Sequence, residues 1–122
     1  MITEDYVSLE TAKLLKEKGF DEPCVYVYCH DGSEDIWDAD KEDIACQKPT
    51  LQRVMKWLRE EKKLSIIIQI CFDDDRNREM GYYFNIWQLT PFYESMDTPI
   101  LVFDTYEEAC EAAFKYCLEN LI

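Results

Sequence analysis

Glycine, proline and histidine are scarce in this chain of 122 residues, which contains 3 glycines, 4 prolines and 1 histidine. The low glycine and proline content argues against flexible linkers and low-complexity tails. A single histidine, His30, leaves little material for histidine-based metal binding or catalysis. Because 48% of the residues are apolar and the length suits one core, residues 1–122 are predicted to form a single domain.

Long apolar runs are also missing. The longest begins at Ile66 and stops after Phe72, well short of the roughly 18 residues of a membrane span. The segment from Met1 to Tyr6 lacks the basic and apolar regions of a signal peptide. The cysteines are Cys24, Cys29, Cys46, Cys71, Cys110 and Cys117. Most of them occupy positions suited to a small buried side chain, so a cytoplasmic protein with reduced thiols is predicted.

Basic residues are outnumbered, with 13 Lys and Arg against 26 Asp and Glu and a formal net charge of −13. This charge repels phosphate backbones and anionic membranes, so we expect no direct binding to nucleic acid or membranes. It attracts basic protein surfaces or divalent cations, and it also keeps a small protein soluble. The carboxylates concentrate in residues 31–43 and 73–79. Candidate interaction residues in these segments are Asp38, Asp40, Asp73, Asp74 and Asp75.

Three helices are predicted, each preceded by a residue suited to cap its first turn: Ser8, Thr50 and Thr105. The first helix is expected from about Leu9 to Lys18. The second carries an apolar face that starts at Leu51, and the third, which ends the chain, carries an apolar stripe between Tyr106 and Leu121.

Four strands are predicted from β-branched and aromatic residues, at about 24–29, 65–72, 82–89 and 100–103. Residues 31–48 are predicted to form a long surface loop. The element order is then α-β-α-β-β-β-α. We expect an α+β fold with two layers and a mainly antiparallel sheet of about four strands.

Two resemblances bear on function. Residues 49–121 follow the α-β-β-β-α order of double-stranded-RNA-binding domains. Those domains begin the last helix with a lysine-rich segment, whereas this chain has Asp104 to Glu108 there, so the charge contradicts that function.

The second resemblance is at the level of sequence. It rests on the segments Pro49–Gln52, Met55–Glu60, Tyr106–Ala113 and Lys115–Leu118. They are similar to uncharacterised small proteins of gut Bacteroidales and their phages or integrated elements. The resemblance implies a mobile-element setting, which favours a regulator or an inhibitor of host machinery, and it implies no mechanism.

Metal and cofactor sites are not indicated. Asp73, Asp75 and Asn77 match the first positions of an EF-hand loop, but Arg78 stands where glycine is needed and Phe84 where glutamate is needed. A polar hairpin tip is the better interpretation. No spacing of Cys and His residues fits zinc, so we expect no metal and no cofactor.

A small enzyme is the alternative function, with a site around His30, Cys46 and residues 31–43. A Cys–His pair would need the thiol within hydrogen-bonding reach of the imidazole. The neighbouring Cys29 points to the opposite side of its strand, so no spacing in the sequence brings such a pair together. Catalytic residues are therefore not assigned.

Aromatic residues are the more informative anomaly. The strand at 82–89 is apolar on both faces, and either helices cover both or one face is exposed as a surface for a protein partner or a homodimer. Candidate residues for that surface are Tyr83, Trp87, Phe92 and Tyr93, together with Trp37 in the acidic segment. The preferred function is thus a non-enzymatic interaction or regulatory module. A variant of it is a nucleic-acid mimic that occupies a basic groove.

Overall fold

The computed structural model describes residues 2–73 and 78–122, and within them it has an α+β fold with three α-helices and two antiparallel sheets of three strands each. The elements are α1 (Leu9–Glu17), β1 (Tyr26–Cys29), β2 (Glu34–Ile36), β3 (Ile44–Lys48), α2 (Leu51–Glu61), β4 (Leu64–Asp73), β5 (Arg78–Gln88), β6 (Glu94–Ser95) and α3 (Tyr106–Tyr116), and a π-helical turn (Cys117–Leu121) follows α3. The fold class is confirmed, while the number and order of the strands differ from the prediction.

The three predicted helix caps are confirmed. The hydroxyl oxygens of Ser8, Thr50 and Thr105 each accept the N–H of the residue three positions later, at 3.3, 3.1 and 3.1 Å. Each bond satisfies one of the free N–H groups of a first helical turn, which contributes about 1 kcal/mol. These local signals explain why the helix starts were readable from the sequence.

The first sheet has the strand order β2-β1-β3. Residues 31–48, predicted to be a long loop, supply both neighbours of β1, so that prediction was wrong. The β1 strand is buried from Val27 to Cys29. Because buried N–H and C=O groups need partners, this strand requires a neighbour on each side. The charged and very short β2 gives no alternating pattern that would reveal it in isolation.

The second sheet has the order β4-β5-β6, with Ile66 opposite Ile86 and a bulge between Cys71 and Phe72. The prediction of a strand at 100–103 was wrong. Of these residues only Phe103 pairs with the sheet: the Tyr82 N–H donates to its carbonyl at 2.8 Å, and its N–H donates to the Tyr82 carbonyl at 2.7 Å. Residues 94–95 pair with β5 in place of the predicted strand. The chain then leaves the sheet. Pro99 has no N–H to donate to a neighbouring strand, and the Tyr116 hydroxyl donates to the Asp97 carbonyl at 3.1 Å.

Helices α2 and α3 pack together on one face of the second sheet, and α1 packs on β3 and α3. The core between them is closed by apolar side chains that water does not reach, including Leu58, Ile86, Phe114, Cys117 and Leu118. The apolar stripe predicted on the last helix therefore faces this core, and two sheets with a shared set of helices replace the expected single sheet of four strands.

The start of α1 is tied to α3 by a carboxylate. Glu111 accepts the Ser8 N–H at 2.7 Å and the Ser8 hydroxyl at 3.2 Å, and it also accepts the hydroxyl of the fully buried Thr11. Glu111 and Lys115 stand four positions apart on α3, a spacing at which opposite charges can pair. Lys115 pairs with Glu10 at 2.8 Å instead, because α1 lies alongside α3 and supplies closer partners.

We expect Leu58→Ala to lower the free energy of unfolding by about 3 kcal/mol, because it leaves a cavity where no water reaches the leucine. Urea denaturation of the purified chain measures this. Arg59→Ala, on the exposed side of the same helix, is the matched control and should change stability by less than about 0.5 kcal/mol. Equal effects of the two variants would contradict the assignment of the core.

We expect Glu111→Ala to cost about 2 kcal/mol of stability, because it removes the acceptor of the Ser8 N–H and of the buried Thr11 hydroxyl. Lys115→Ala removes only a salt bridge whose glutamate is largely exposed, and it should cost under about 1 kcal/mol. Thermal unfolding of both variants tests the difference. A larger loss in Lys115→Ala would show that the salt bridge, rather than the carboxylate at the helix start, joins α1 to α3.

Candidate functional site

The two faces of the second sheet differ in how they are covered. Residues directly opposite one another in the β4–β5 register share a face, and α2 and α3 cover the face that carries Ile66, Phe84 and Ile86. We call the other side the outer face. It is formed by Ser65, Ile67, Gln69 and Cys71 of β4 and by Tyr83, Asn85 and Trp87 of β5. No side chain in this set is charged.

Helices do not cover the outer face within the described residues, and Ile67 at its centre is 39% exposed. Two of its polar side chains pair with each other, since the Asn85 amide nitrogen donates to the Gln69 amide oxygen at 2.5 Å. Because the face carries no charge, a partner that covers it does not have to remove water from a charged group.

Aromatic side chains extend the outer face at one end. Tyr93 stacks on Trp87 with ring centroids 4.7 Å apart and planes 12° from parallel, and it remains 67% exposed. Phe92, the preceding residue, is 75% exposed. The structure therefore brings Tyr83, Trp87 and Tyr93 to one surface, with Phe92 beside Tyr93 in the chain. Stacking fixes the two rings in place, which lowers the entropy cost of binding through them.

The acidic segment forms an arm built on the first sheet. We define the acidic arm as residues 31–43, which include β2 and the turns on either side of it. Its carboxylates are all exposed: Asp31, Glu34, Asp35, Asp38, Asp40, Glu42 and Asp43. The Trp37 side chain is 68% exposed and does not pack back on the body. The backbone N–H of Trp37 donates to the Val25 carbonyl at 2.8 Å. The arm is thus a second exposed surface, separate in the chain from the outer face.

Within the arm, several carboxylates have specific partners. Asp31 accepts the Ser33 N–H at 2.9 Å and the Ser33 hydroxyl at 2.6 Å, and these bonds lower the pKa of that carboxyl group. Glu34 pairs with Lys48 at 2.9 Å. The adjacent Asp35 lies on the opposite face of β2, so the strand does not line its carboxylates up in a row.

A lysine surrounded by three tyrosine rings, which we call the tyrosine cage, anchors the arm. No local pattern in the sequence predicts this contact directly. The ammonium group of Lys48 lies 5.0 Å from the ring centroid of Tyr6, 5.9 Å from that of Tyr26 and 5.4 Å from that of Tyr28. With Glu34 on the ammonium group, this arrangement joins the chain start to all three strands of the first sheet. The one available signal was the Tyr26 and Tyr28 spacing, which puts both rings on one face.

Tyr28 is also tied down by its hydroxyl, which donates to the Val7 carbonyl at 2.6 Å. Burial raises the pKa of Tyr28 to about 12, and the nearby carboxylates of Glu34 and Glu111 act in the same direction. Because the folded pKa exceeds the unfolded value of 10.0, the folded state favours the neutral phenol. The resulting stability is complete below about pH 10 and is lost as the pH rises to about 12.

We therefore expect urea denaturation to show a loss of stability between pH 10 and about pH 12, and Tyr28→Phe should make that loss shallower. The variant should also be less stable at neutral pH, because the Val7 carbonyl loses its donor. Tyr93→Phe, whose ring is exposed, is the control and should leave the pH dependence unchanged. An unchanged slope in Tyr28→Phe would contradict the role given to this phenol.

The residues of the alternative enzyme site differ in burial. His30 is exposed, and its backbone N–H donates to the Asp43 carbonyl at 2.9 Å. Cys46 is buried in the core, on the same face of the first sheet as Tyr28, and burial raises the pKa of its thiol. A buried neutral thiol and a solvent-facing imidazole do not make a nucleophile and its base.

Three other cysteines also have thiols whose pKa is raised by burial. All six are free. Burial raises the pKa of Cys24, and it raises those of Cys110 and Cys117 to about 12. These thiols stay protonated at neutral pH, which suits side chains that fill space in the core.

The segment 73–79, predicted to be a polar hairpin tip, lies partly outside the described residues. Asp74 and Asp75 fall there, and so does the side chain of Asp73. Within residues 2–73 and 78–122, no group of three or more His, Cys, Asp or Glu side chains could hold a metal ion. Over the same residues, none of the helices has the length and apolar character needed to cross a membrane.

Comparison with protein-family models, with curated proteins and with solved structures finds no match to this chain. The geometry and chemistry of the two exposed surfaces are therefore the basis for inferring a function.

Proposed function

We propose that this protein is a non-enzymatic interaction module that binds a protein partner through the outer face of its second sheet. The observation that carries the proposal is the uncovered, uncharged outer face with Trp87 and Tyr93 stacked at its end. Monomeric soluble proteins seldom expose continuous apolar patches without using them. Tryptophan and tyrosine are also the side chains that dominate binding energy at protein interfaces.

The charge of the chain favours a partner with a basic surface. A net charge of −13 steers a basic protein toward the molecule, and the exposed carboxylates of the acidic arm concentrate part of that charge. Electrostatic attraction of this kind acts mainly on the rate of association, while the apolar contact sets how long the complex lasts. The two surfaces thus have different roles in one binding event.

A nucleic-acid mimic that occupies a basic groove is a variant of the same proposal. The charge of the acidic arm supports it, and so does the resemblance to proteins of phages and integrated elements, in which inhibitors of host machinery are expected. The pairing of Glu34 with Lys48 and the opposite orientation of Asp35 count against a regular row of charges on β2. The small-enzyme alternative is less well supported, because the Cys46 thiol is buried whereas His30 is exposed.

The proposal is tested by capturing partners from a Bacteroidales lysate with the full chain at low and moderate salt. Affinity is then measured by titration with each purified partner. We expect Trp87→Ala to weaken binding by about thirty-fold or more, because it removes an aromatic anchor worth about 2 kcal/mol. Trp37→Ala, which removes an exposed ring of the same kind from the acidic arm, is the control and should change affinity by less than about three-fold.

Three results would contradict parts of the proposal. A complex that is lost in Trp37→Ala and kept in Trp87→Ala would move the site to the acidic arm. Recovery of no basic protein at either salt concentration would eliminate the basic partner and the mimic variant together. An affinity that does not fall as salt rises would contradict the electrostatic contribution.

A further inference from the structure

The β4 strand lies at an edge of the second sheet, with β5 as its only neighbour in the strand order. Its main chain makes no hydrogen bond on the other side to any of the described residues. From Leu64 to Phe72 it carries no charged residue, no proline and no glycine, and its bulge comes only after Cys71. Exposed edge strands are normally protected by charges, prolines or bulges, because a bare edge is a template for pairing.

The hydrogen bonds of β5 show which main-chain groups of β4 point to the free edge. Tyr82 exchanges bonds with Phe103, and Ile86 accepts from Met96, so even-numbered residues of β5 bond away from β4. Odd-numbered residues bond toward it, as the Leu89 N–H does to the Lys63 carbonyl at 2.8 Å. Within β4, the groups that point to the free edge therefore belong to the even-numbered residues before the bulge: Leu64, Ile66, Ile68 and Ile70.

The absence of charge along β4 suits an antiparallel copy of itself. From Leu64 to Ile70 the strand has no charged side chain, so two copies paired antiparallel over these residues bring only uncharged side chains together. Elsewhere the chain is strongly acidic, and this edge is a place where two copies approach without opposing like charges along the paired strands.

We propose that two copies of this chain pair antiparallel through β4 about a two-fold axis at Ile67. In this register Ile66 bonds Ile68 of the second copy, and Leu64 bonds Ile70. All four outward N–H and C=O pairs of each copy are then satisfied. A two-fold interface of this kind is self-complementary and closes at a dimer. The occupant is thus a second copy, and the inference stands on the main chain, independently of the proposed function.

Pairing would join two three-stranded sheets into one continuous sheet. The two outer faces then form one larger surface, with Ile67 of each copy side by side at its centre and the Trp87–Tyr93 pairs toward its two ends. A partner that is itself a dimer would engage both ends at once and gain from the higher effective concentration of the second contact.

The test is sedimentation of the full chain over a range of concentrations, together with two variants. We expect a dimer for the unaltered chain. Ile70→Pro removes one outward N–H and places a ring at the edge, so it should weaken the dimer by at least about a hundred-fold. Because that N–H has no partner among the described residues of one copy and Ile70 is 45% exposed, the monomer should stay folded. Tyr83→Ala, on the outer face, is the matched control and should leave the dimer intact.

A second variant locates the axis. In the proposed register the two Ile67 Cα atoms face each other as a non-hydrogen-bonded pair about 4.5 Å apart, which is within disulfide range. Ile67→Cys treated with diamide should give a covalent dimer under non-reducing conditions. The unaltered chain should not, because its Cys71 lies opposite residue 63 of the other copy. Ile67→Lys brings two like charges to the axis and should give a folded monomer.

Each outcome decides the proposal. An unaltered chain that sediments as a monomer at every concentration overturns it, and so does an assembly larger than a dimer. A dimer lost in Tyr83→Ala and kept in Ile70→Pro would show that copies associate through the outer face. A dimer that resists Ile67→Lys and forms no disulfide in Ile67→Cys would place the axis elsewhere and overturn the assigned register.

Discussion

The packing of α2 and α3 on one face of the β4–β5–β6 sheet is the constraint on which the rest of the structure depends. It builds the core around Leu58, Phe114 and Ile86, and it uses up the two longest amphipathic helices on one side. The remaining helix, α1, is needed to cover β3. Because the chain has no helix left among its described residues, the outer face stays open, and the exposed apolar surface is a direct result of how the core is closed.

Charge has two different roles in this molecule. Most carboxylates are solvated and set the long-range field, as in the acidic arm. A few hold elements together, since Glu111 binds the start of α1 and Glu34 completes the cage around Lys48. The structural carboxylates are those that meet donors from distant parts of the chain. Net charge therefore sets which partners the protein attracts at long range, whereas individual contacts of carboxylates contribute to its stability.

The open face and the free β4 edge meet along a single strand, and this links the two proposals. Ile67 belongs to the outer face by its side chain, while its even-numbered neighbours Ile66 and Ile68 offer their main-chain groups to the edge. One strand can thus serve a heterologous partner through side chains and a second copy through the backbone. The two contacts need not compete, because side chains and backbone groups of a strand point in perpendicular directions.

Local chemistry determined much of this protein from its sequence alone. The caps Ser8, Thr50 and Thr105 and the apolar stripe on α3 depend on residues a few positions apart, and so they fixed the helices and the α+β class. Aromatic residues on both faces of β5 left two possibilities, a sheet covered on both sides or a sheet with one exposed face. Tertiary structure decided what local patterns do not encode: the strands within 31–48, the loss of a strand at 100–103, the open outer face, the burial of Cys46, and the partners of Lys48 and Glu111. These depend on pairing between segments far apart in the chain, because a main-chain or charged group bonds whichever partner the packing of the core brings within reach.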